Sequence, residues 1–370
     1  MDMLRLLHTG DLHLCSRFAA FPQKEAAKRR ERQFEALEQL LARAVRGGAQ
    51  LLLFAGDCFD STTPDPGSVQ RFFNLLGKQP VPSVIAPGNH DYYLRGGFYD
   101  TVTIPANVHL FRSSELSSID FPELGATVYG YAFTGEMMQT PNLGRAIERA
   151  HDRINVLLAH ADLISPISKY APISAGQLER TGFLYAALGH VHKPTRPRRC
   201  GHTIAAYCGF FAGRGFDELG PGHANMVVIQ EKNIVVDPIE TVADRFEERE
   251  LDCTGAATTE DVRVKVEEYL AAEKLPPETA LRLTLKGQVV TGCRADKATI
   301  ARLGRELALF EVVDDTLPIY NAEYLEKDPG MKGAFYRAMV AHLQSENERE
   351  RAIAAEALRL GFAALSGREV

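Results

Sequence analysis

The chain has 370 residues, 45% of them apolar and 24% charged, and a formal net charge of -6. That length suits two or three units, and the acidic balance excludes a global basic field, so any nucleic-acid binding must rest on a local patch. No apolar run approaches the ~20 residues that span a bilayer. The N-terminus lacks a signal-peptide pattern, and the six cysteines include no Cys-x-x-Cys pair, which argues against a disulfide framework or a thiolate zinc site. The expectation is a cytoplasmic protein with no membrane partner.

Leu4 to His8 reads as a short apolar strand, followed by Asp11-Leu12-His13. Lys24 to Arg46 reads as a helix, with Phe34, Leu37, Leu40, Leu41 and Val45 at helical spacing and Gly47-Gly48 as its stop. Leu51 to Ala55 is a second buried strand ending in Gly56-Asp57, and a helix from about Ser68 to Leu76 leads to a third strand ending in Gly88-Asn89-His90-Asp91. This alternation predicts an α/β layered fold with a largely parallel core. Strands then follow at Val108 to Phe111 and Thr127 to Tyr131, with a helix near Asn142 to Arg149. Ile154 to Ala159 ends at His160, and Phe183 to Leu188 ends in Gly189-His190-Val191-His192. Three short strands (Ala205 to Tyr207, Met226 to Ile229, Ile234 to Val236) close this part.

The expected domains are 1–240, a small α+β cap over 241–325 and a helical tail over 326–370. In the cap, Phe246 to Leu251, Ala280 to Leu285 and Val312 to Ile319 read as strands, and Thr258 to Glu273 and Ala295 to Leu309 as helices.

Five apolar strands thus end in groups able to hold a metal: Asp11 and His13, Asp57, Asn89, His160, and His190 with His192. In open α/β sheets the carboxyl ends of the strands share one edge, where ligands bind. Seven oxygen and nitrogen donors crowded there need cations, because carboxylates repel and buried polar groups require partners. Seven ligands are too many for one ion and suit two that share a bridging carboxylate. Imidazole and oxygen donors without thiolate favour a metal such as manganese or iron.

In their order and spacing, Asp11-x-His13, Gly56-Asp57, Gly88-Asn89-His90-Asp91, His160 and Gly189-His190-x-His192 resemble the motifs of calcineurin-like metallophosphoesterases. The Asn-His-Asp and His-Val-His forms look more like the SbcD-type DNA-repair exonuclease branch than protein phosphatases, and Arg214-Gly215-Phe216-Asp217-Glu218 resembles its YhaO-type subgroup. The resemblance spans roughly residues 1–240. It implies a four-layer β-sandwich flanked by helices, with a small α+β cap and C-terminal helices. It further implies two Mn2+, with Fe2+ or Mg2+ as alternatives. Asp11, His13, Asp57 and His192 would hold one ion, and Asp57, Asn89, His160 and His190 the other. Such a pair polarises a phosphodiester and activates a water. His90 is then placed to protonate the leaving oxygen as a catalytic acid, and Asp91 either orients His90 or caps the turn. Where archaeal and eukaryotic relatives often carry a phosphate-contacting histidine, this chain has Asp60.

Two basic clusters flank these loops and are candidate DNA contacts: the helical one with Arg29 and Arg30, and Lys193, Arg196, Arg198 and Arg199 after His192. The tail repeats Phe335, Met339 and Leu343, then Ile353, Ala357, Leu358 and Phe362, as two amphipathic helices. They pack on the cap or, by the family resemblance, dock an SMC-like ATPase of the SbcC/YhaN type. Dimerisation is implied by likeness alone. The leading reading is a two-metal DNA nuclease, exonuclease and in part endonuclease, acting in repair. The alternatives are a phosphoesterase for a nucleotide or other small phosphodiester, and a silent scaffold for an ATPase.

Overall fold

The computed structural model describes residues 3–143, 153–231, 233–241, 244–290, 293–319 and 322–365. They divide into two units, Met1–Phe246 and Glu247–Val370.

Unit 1 opens with β1 (Leu4–Thr9), α1 (Gln23–Arg46), β2 (Leu51–Phe54), α2 (Pro66–Gly77), β3 (Ser83–Ile85) and β4 (Val108–Leu110). Next come β5 (Ser117–Phe121), β6 (Ala126–Gly130), β7 (Ile154–His160), α3 (Ala175–Thr181) and β8 (Tyr185–Gly189). It closes with β9 (Arg198–Cys200), β10 (Thr203–Tyr207), β11 (His223–Gln230) and β12 (Asn233–Glu240). Of the predicted helix near Asn142 to Arg149, positions from 144 on lie outside the described residues.

Two six-stranded sheets result, ordered β12-β11-β1-β2-β3-β4 and β5-β6-β7-β8-β10-β9. β1 to β4 run parallel in the first and β6, β7, β8 and β10 in the second. Antiparallel strands flank both parallel cores, β11 and β12 on one side of the first and β5 and β9 at the edges of the second.

The strand alternation decides the layers, because successive side chains point to opposite faces. Leu4, Leu6, Leu51, Leu53 and Val84 meet Val128, Val156, Leu158, Ala187 and Ala206 of the second sheet. Their neighbours Leu7, Leu52, Phe54 and Ile85 point the other way, onto Phe34, Leu37 and Leu41 of α1 and Phe72, Phe73 and Leu76 of α2. On the far side Leu157, Ala159, Ala186 and Leu188 pack with Leu178 of α3 and Phe183. Helix, sheet, sheet and helix form the expected sandwich, and strands covered on both faces read as continuous apolar runs.

Unit 2 holds β13 (Arg245–Asp252, its first residues in unit 1), α4 (Thr259–Glu273), β14 (Thr279–Lys286), β15 (Gln288–Val289) and α5 (Lys297–Ala301). β16 (Leu309–Asp314), β17 (Leu317–Pro318), α6 (Ala322–Lys327), α7 (Met331–Leu343) and α8 (Glu348–Leu365) follow. A three-stranded sheet β13-β14-β16 packs Leu281 and Leu283 on Val262 and Val266 of α4. The predicted helix Ala295 to Leu309 is mostly something else. Only Lys297–Ala301 is α-helical, and a 3-10 turn ends at Gly304. The Phe310 ring lies directly against Gly304, and Leu309 starts a strand paired with Ala280, so sheet pairing overrides the helical spacing. In the tail, Phe335 of α7 and Phe362 of α8 meet with ring centroids 5.8 Å apart.

Candidate metal centre

The seven predicted ligands gather where the carboxyl ends of β1, β2 and β3 meet those of β7 and β8. Asp11 and His13 follow β1, Asp57 follows β2, and Asn89 follows β3. His160 is the last residue of β7, and His190 comes directly after β8. The loops are zipped together by their backbones: Asp11 N–H donates to Gly56 O at 3.0 Å and His13 N–H to Asp57 O at 2.9 Å.

Four of these seven residues have left-handed backbones: Asp11 (φ 48), His13 (φ 44), Asp57 (φ 49) and His190 (φ 101). Such residues cost ~1–3 kcal/mol each and persist where the surroundings hold them, commonly at functional sites. The glycines of the motifs answer to space. A side chain at Gly88 would collide with the Asp57 carboxylate, and one at Gly189 with the carbonyl of Ala55.

Asp11, His13, Asp57 and His160 are almost fully buried. The donor atoms of Asp11, His13 and His192 lie within 4.8 Å of one another, as do those of Asp11, Asp57 and His160, and those of His13, Asp57 and His90. Asp57 is common to two of these groups. Its Oδ2 is 3.8 Å from His13 Nε2 and 3.5 Å from His160 Nε2. His190 stands outside the three groups. Its N–H donates to Asp11 at 3.1 Å, and its ring packs 5.2 Å from His160 and 4.9 Å from Tyr170. Burial, with the neighbouring His160, lowers its pKa to about 4, so it is a neutral imidazole at physiological pH.

Proton bookkeeping on the imidazoles tests whether cations fit. Carbonyl and carboxylate oxygens only accept hydrogen bonds. His160 Nδ1 therefore keeps the proton it gives Ala55 O at 3.0 Å, and its Nε2 lone pair faces Asn89 Oδ1 at 2.8 Å. His13 Nδ1 donates to Asp60 Oδ1 at 2.9 Å, and His192 Nδ1 to Glu218 Oε1 at 2.8 Å. Their Nε2 lone pairs then oppose each other across 3.3 Å. Lone pairs so directed repel unless a proton or a metal cation lies among them, and the mix of imidazole, carboxylate and amide oxygen suits a divalent ion. Both supporting carboxylates are ionised. Burial raises the Asp60 carboxyl, but the His13 hydrogen bond and Arg214 outweigh it and hold it below its ordinary value. Burial likewise opposes Glu218, which His192 and Arg214 bring down to about 2.

His90 is exposed beside the cluster. Its N–H donates to Asp57 Oδ1 at 2.9 Å, and its ring lies 4.9 Å from that of His13. It lines a cavity with Asp60, Asn89, Tyr92, Glu136 and Tyr170. Asp91 does not face this cavity. Its buried carboxylate accepts from the N–H groups of Gly88 (2.7 Å), Asp57 (3.1 Å) and Cys58 (2.7 Å) and from Tyr99 OH (2.8 Å). It caps the two ligand turns, the second of the two roles expected of it, and its place is architectural rather than at the reacting atoms.

Arg29 is a correction. Its side chain is fully buried, ion-paired with Asp244 at 2.9 Å and stacked 3.7 Å over the Phe21 ring, so it is closed to DNA. The helical spacing of α1 turns Arg29 inward with Ala26 and Gln33. Arg30 is half-buried, with its guanidinium 3.4 Å from Ser16 O. Lys193, Arg196, Arg198 and Arg199 are exposed, and the last two belong to edge strand β9. Sequence reasoning also missed Glu218, although Arg214 to Glu218 stood out as a motif.

Carboxylates and imidazoles converging at the strand ends of a two-sheet sandwich define a metal-dependent phosphoesterase. The family model for calcineurin-like phosphoesterases matches residues 4–194, and the chain belongs to that family. It is a metal-dependent phosphodiesterase, a hydrolase acting on ester bonds. Among its relatives, the uncharacterized metallophosphoesterase YhaO of Bacillus subtilis is 25% identical over 296 residues, 77% of this chain and 72% of that protein. The SbcD component of the nuclease SbcCD of Bacillus subtilis is 24% identical over 258 residues, 59% of this chain and 64% of its own length. The DNA double-strand break repair protein Mre11 of Saccharolobus solfataricus is 24% identical over 221 residues, covering 56% and 54%. The match thus takes in less than two thirds of either nuclease. Among the described residues no helix is long and apolar enough to cross a membrane.

Proposed function

We propose that this chain is a two-metal DNA nuclease, exonucleolytic and in part endonucleolytic, acting in cytoplasmic DNA repair. The observation that supports this reading is the facing, carboxylate-backed imidazoles of His13 and His192 beside the His160–Asn89 pair, two donor sets that suit divalent cations. Asp11, His13, Asp57 and His192 would hold one Mn2+, and Asp57, Asn89, His160 and His190 the other. When bound, such ions polarise the phosphodiester and lower the pKa of a coordinated water. Asp57 links the two groups, and the exposed His90 can deliver a proton to the leaving oxygen. Lys193, Arg196, Arg198 and Arg199 would hold the polyanion by its phosphates without reading its sequence. Relatives that are a nuclease component and a break-repair protein support DNA as the substrate. The C-terminal helices are proposed to dock an SMC-like ATPase; deleting 330–370 should then abolish partner pull-down while nuclease activity survives, and intact pull-down removes the tail from the interface.

A second reading, a small phosphodiester as substrate, is favoured by one observation. The cavity beside His90 is lined by Asp60, Ser61, Thr62, Asn89, Tyr92, Glu136 and Tyr170, with no Lys or Arg among them. Linear duplex DNA, single-stranded DNA and thymidine p-nitrophenyl phosphate with Mn2+ separate the two. The triple substitution Arg196→Glu, Arg198→Glu and Arg199→Glu should cut DNA cleavage at least ~10-fold and spare the small ester. Equal loss on both substrates, or on neither, removes the basic patch from the reading.

A further inference from the structure

Two carboxylates from distant segments stand behind the two opposed imidazoles. Asp60 comes from the loop after β2, and Glu218 from the segment before β11. Between them lies Arg214. Its guanidinium donates to Asp60 Oδ1 at 2.8 Å through one terminal nitrogen and to Glu218 Oε2 at 3.1 Å through Nε. Its backbone N–H also donates to Glu218 Oε2, at 3.0 Å, closing the 214–218 turn on itself. The result is one connected array, His13–Asp60–Arg214–Glu218–His192, whose two ends meet again at the Nε2 atoms 3.3 Å apart.

We propose that Asp60, Arg214 and Glu218 are positioning residues that fix the tautomer and ring orientation of His13 and His192 as a unit, and so preform the site of one ion of the pair. The inference rests on the reading that these two imidazoles share an ion. Each carboxylate accepts from Nδ1–H, at 2.9 Å from His13 and at 2.8 Å from His192, where it is closer than the Arg214 guanidinium nitrogen at 3.4 Å, and this places the proton on Nδ1 and the lone pair on Nε2. The two anions repel each other, and Arg214 neutralises that repulsion while holding both in one rigid fork, which a single ammonium has no geometry to reproduce. Without the array, each ring is free to turn its lone pair away from the other. Asp60 is thereby occupied in supporting a ligand, and a negative charge at position 60 becomes intelligible next to a site for phosphate.

The test is a calorimetric Mn2+ titration of the chelator-stripped full chain, with EPR of the loaded protein and melting of the metal-free protein. Arg214→Gln and Asp60→Ala should each weaken one Mn2+ by ~10–100-fold and leave the other unchanged. The coupled dinuclear EPR signal should then give way to a mononuclear one at limiting Mn2+. Asp60→Asn, whose amide oxygen can still accept from both His13 and Arg214, should stay within a few-fold of the unsubstituted protein. His192→Ala should lose the same ion outright. If Arg214→Gln and Asp60→Ala bind both ions normally while His192→Ala does not, the array has no positioning role. If they weaken both ions equally and lower the metal-free melting temperature, it is an anchor of the fold instead. A His192→Ala protein that still binds two ions normally overturns the ligand assignment, and the inference with it.

Discussion

His13 and His192, 179 positions apart in the chain, present their Nε2 atoms to each other at 3.3 Å. With each Nδ1–H facing a carboxylate, two neutral rings would present only lone pairs to each other, and a cation between the two nitrogens makes the contact attractive. Divalent metal should therefore stabilise the fold, by about 2.7 kcal/mol for each ion present at 100 times its Kd. Thermal melting with Mn2+ and with chelator checks this, and Asp57→Asn should lose most of the response. Identical melting with and without metal would contradict the cation site.

His90 points into the cavity from a backbone tied to Asp57. Protonation matters most for a poor leaving group. His90→Ala should lower DNA hydrolysis at least ~10²-fold and spare the p-nitrophenyl ester of thymidine phosphate, whose leaving group needs no proton. Equal losses on the two substrates would assign His90 to the metal or to binding.

Asp91 holds the turns after β2 and β3 together through Gly88, Asp57 and Cys58. Removing it leaves several buried N–H groups without an acceptor, each costing ~1–3 kcal/mol. Asp91→Ala should lower unfolding stability by at least ~3 kcal/mol in urea titrations, with Mn2+ binding lost alongside. A change below ~1 kcal/mol would mean that water takes over the carboxylate's role.

His8 is buried, with Nδ1 2.8 Å from Tyr185 OH and Nε2 3.2 Å from Leu188 O. Burial depresses its pKa from 6.5 to about 3. Between those values the unfolded chain takes up a proton that the folded one refuses. The stability His8 contributes is thus complete above pH 6.5 and falls by about 1.4 kcal/mol per unit as the pH drops toward 3. Urea midpoints of the chelator-stripped protein at pH 7.5, 6.5, 5.5 and 4.5 should show a flatter acid limb in His8→Gln. Matching slopes would exclude His8 as the sensor.

Strand ends carrying Asp11, His13, Asp57, Asn89, His160, His190 and His192 were legible because strands buried on both faces are uninterrupted apolar runs, and a polar group just past such a run is conspicuous. The same runs, alternating with helices, made a layered α/β fold legible, and the four-layer arrangement was implied by the family resemblance. The Ala295 to Leu309 helix was misread, since Leu303, Leu307 and Phe310 keep helical spacing although Leu309 begins a strand beside Ala280. Arg29 was misread as surface, since a basic run on a helix does not say which member faces Asp244.

Donor type and spacing by themselves pointed to a metal site, because donor type and position at the end of an apolar strand are local properties of the chain, while the phosphoester chemistry was implied by the resemblance of those motifs to a family. Only the tertiary structure decided which donors oppose one another, which acid backs which imidazole, and that Asp91 supports the turns. Those roles depend on distances between residues such as Asp60 and Arg214, 154 positions apart. Such distances are set by how two sheets pack, which no local pattern encodes.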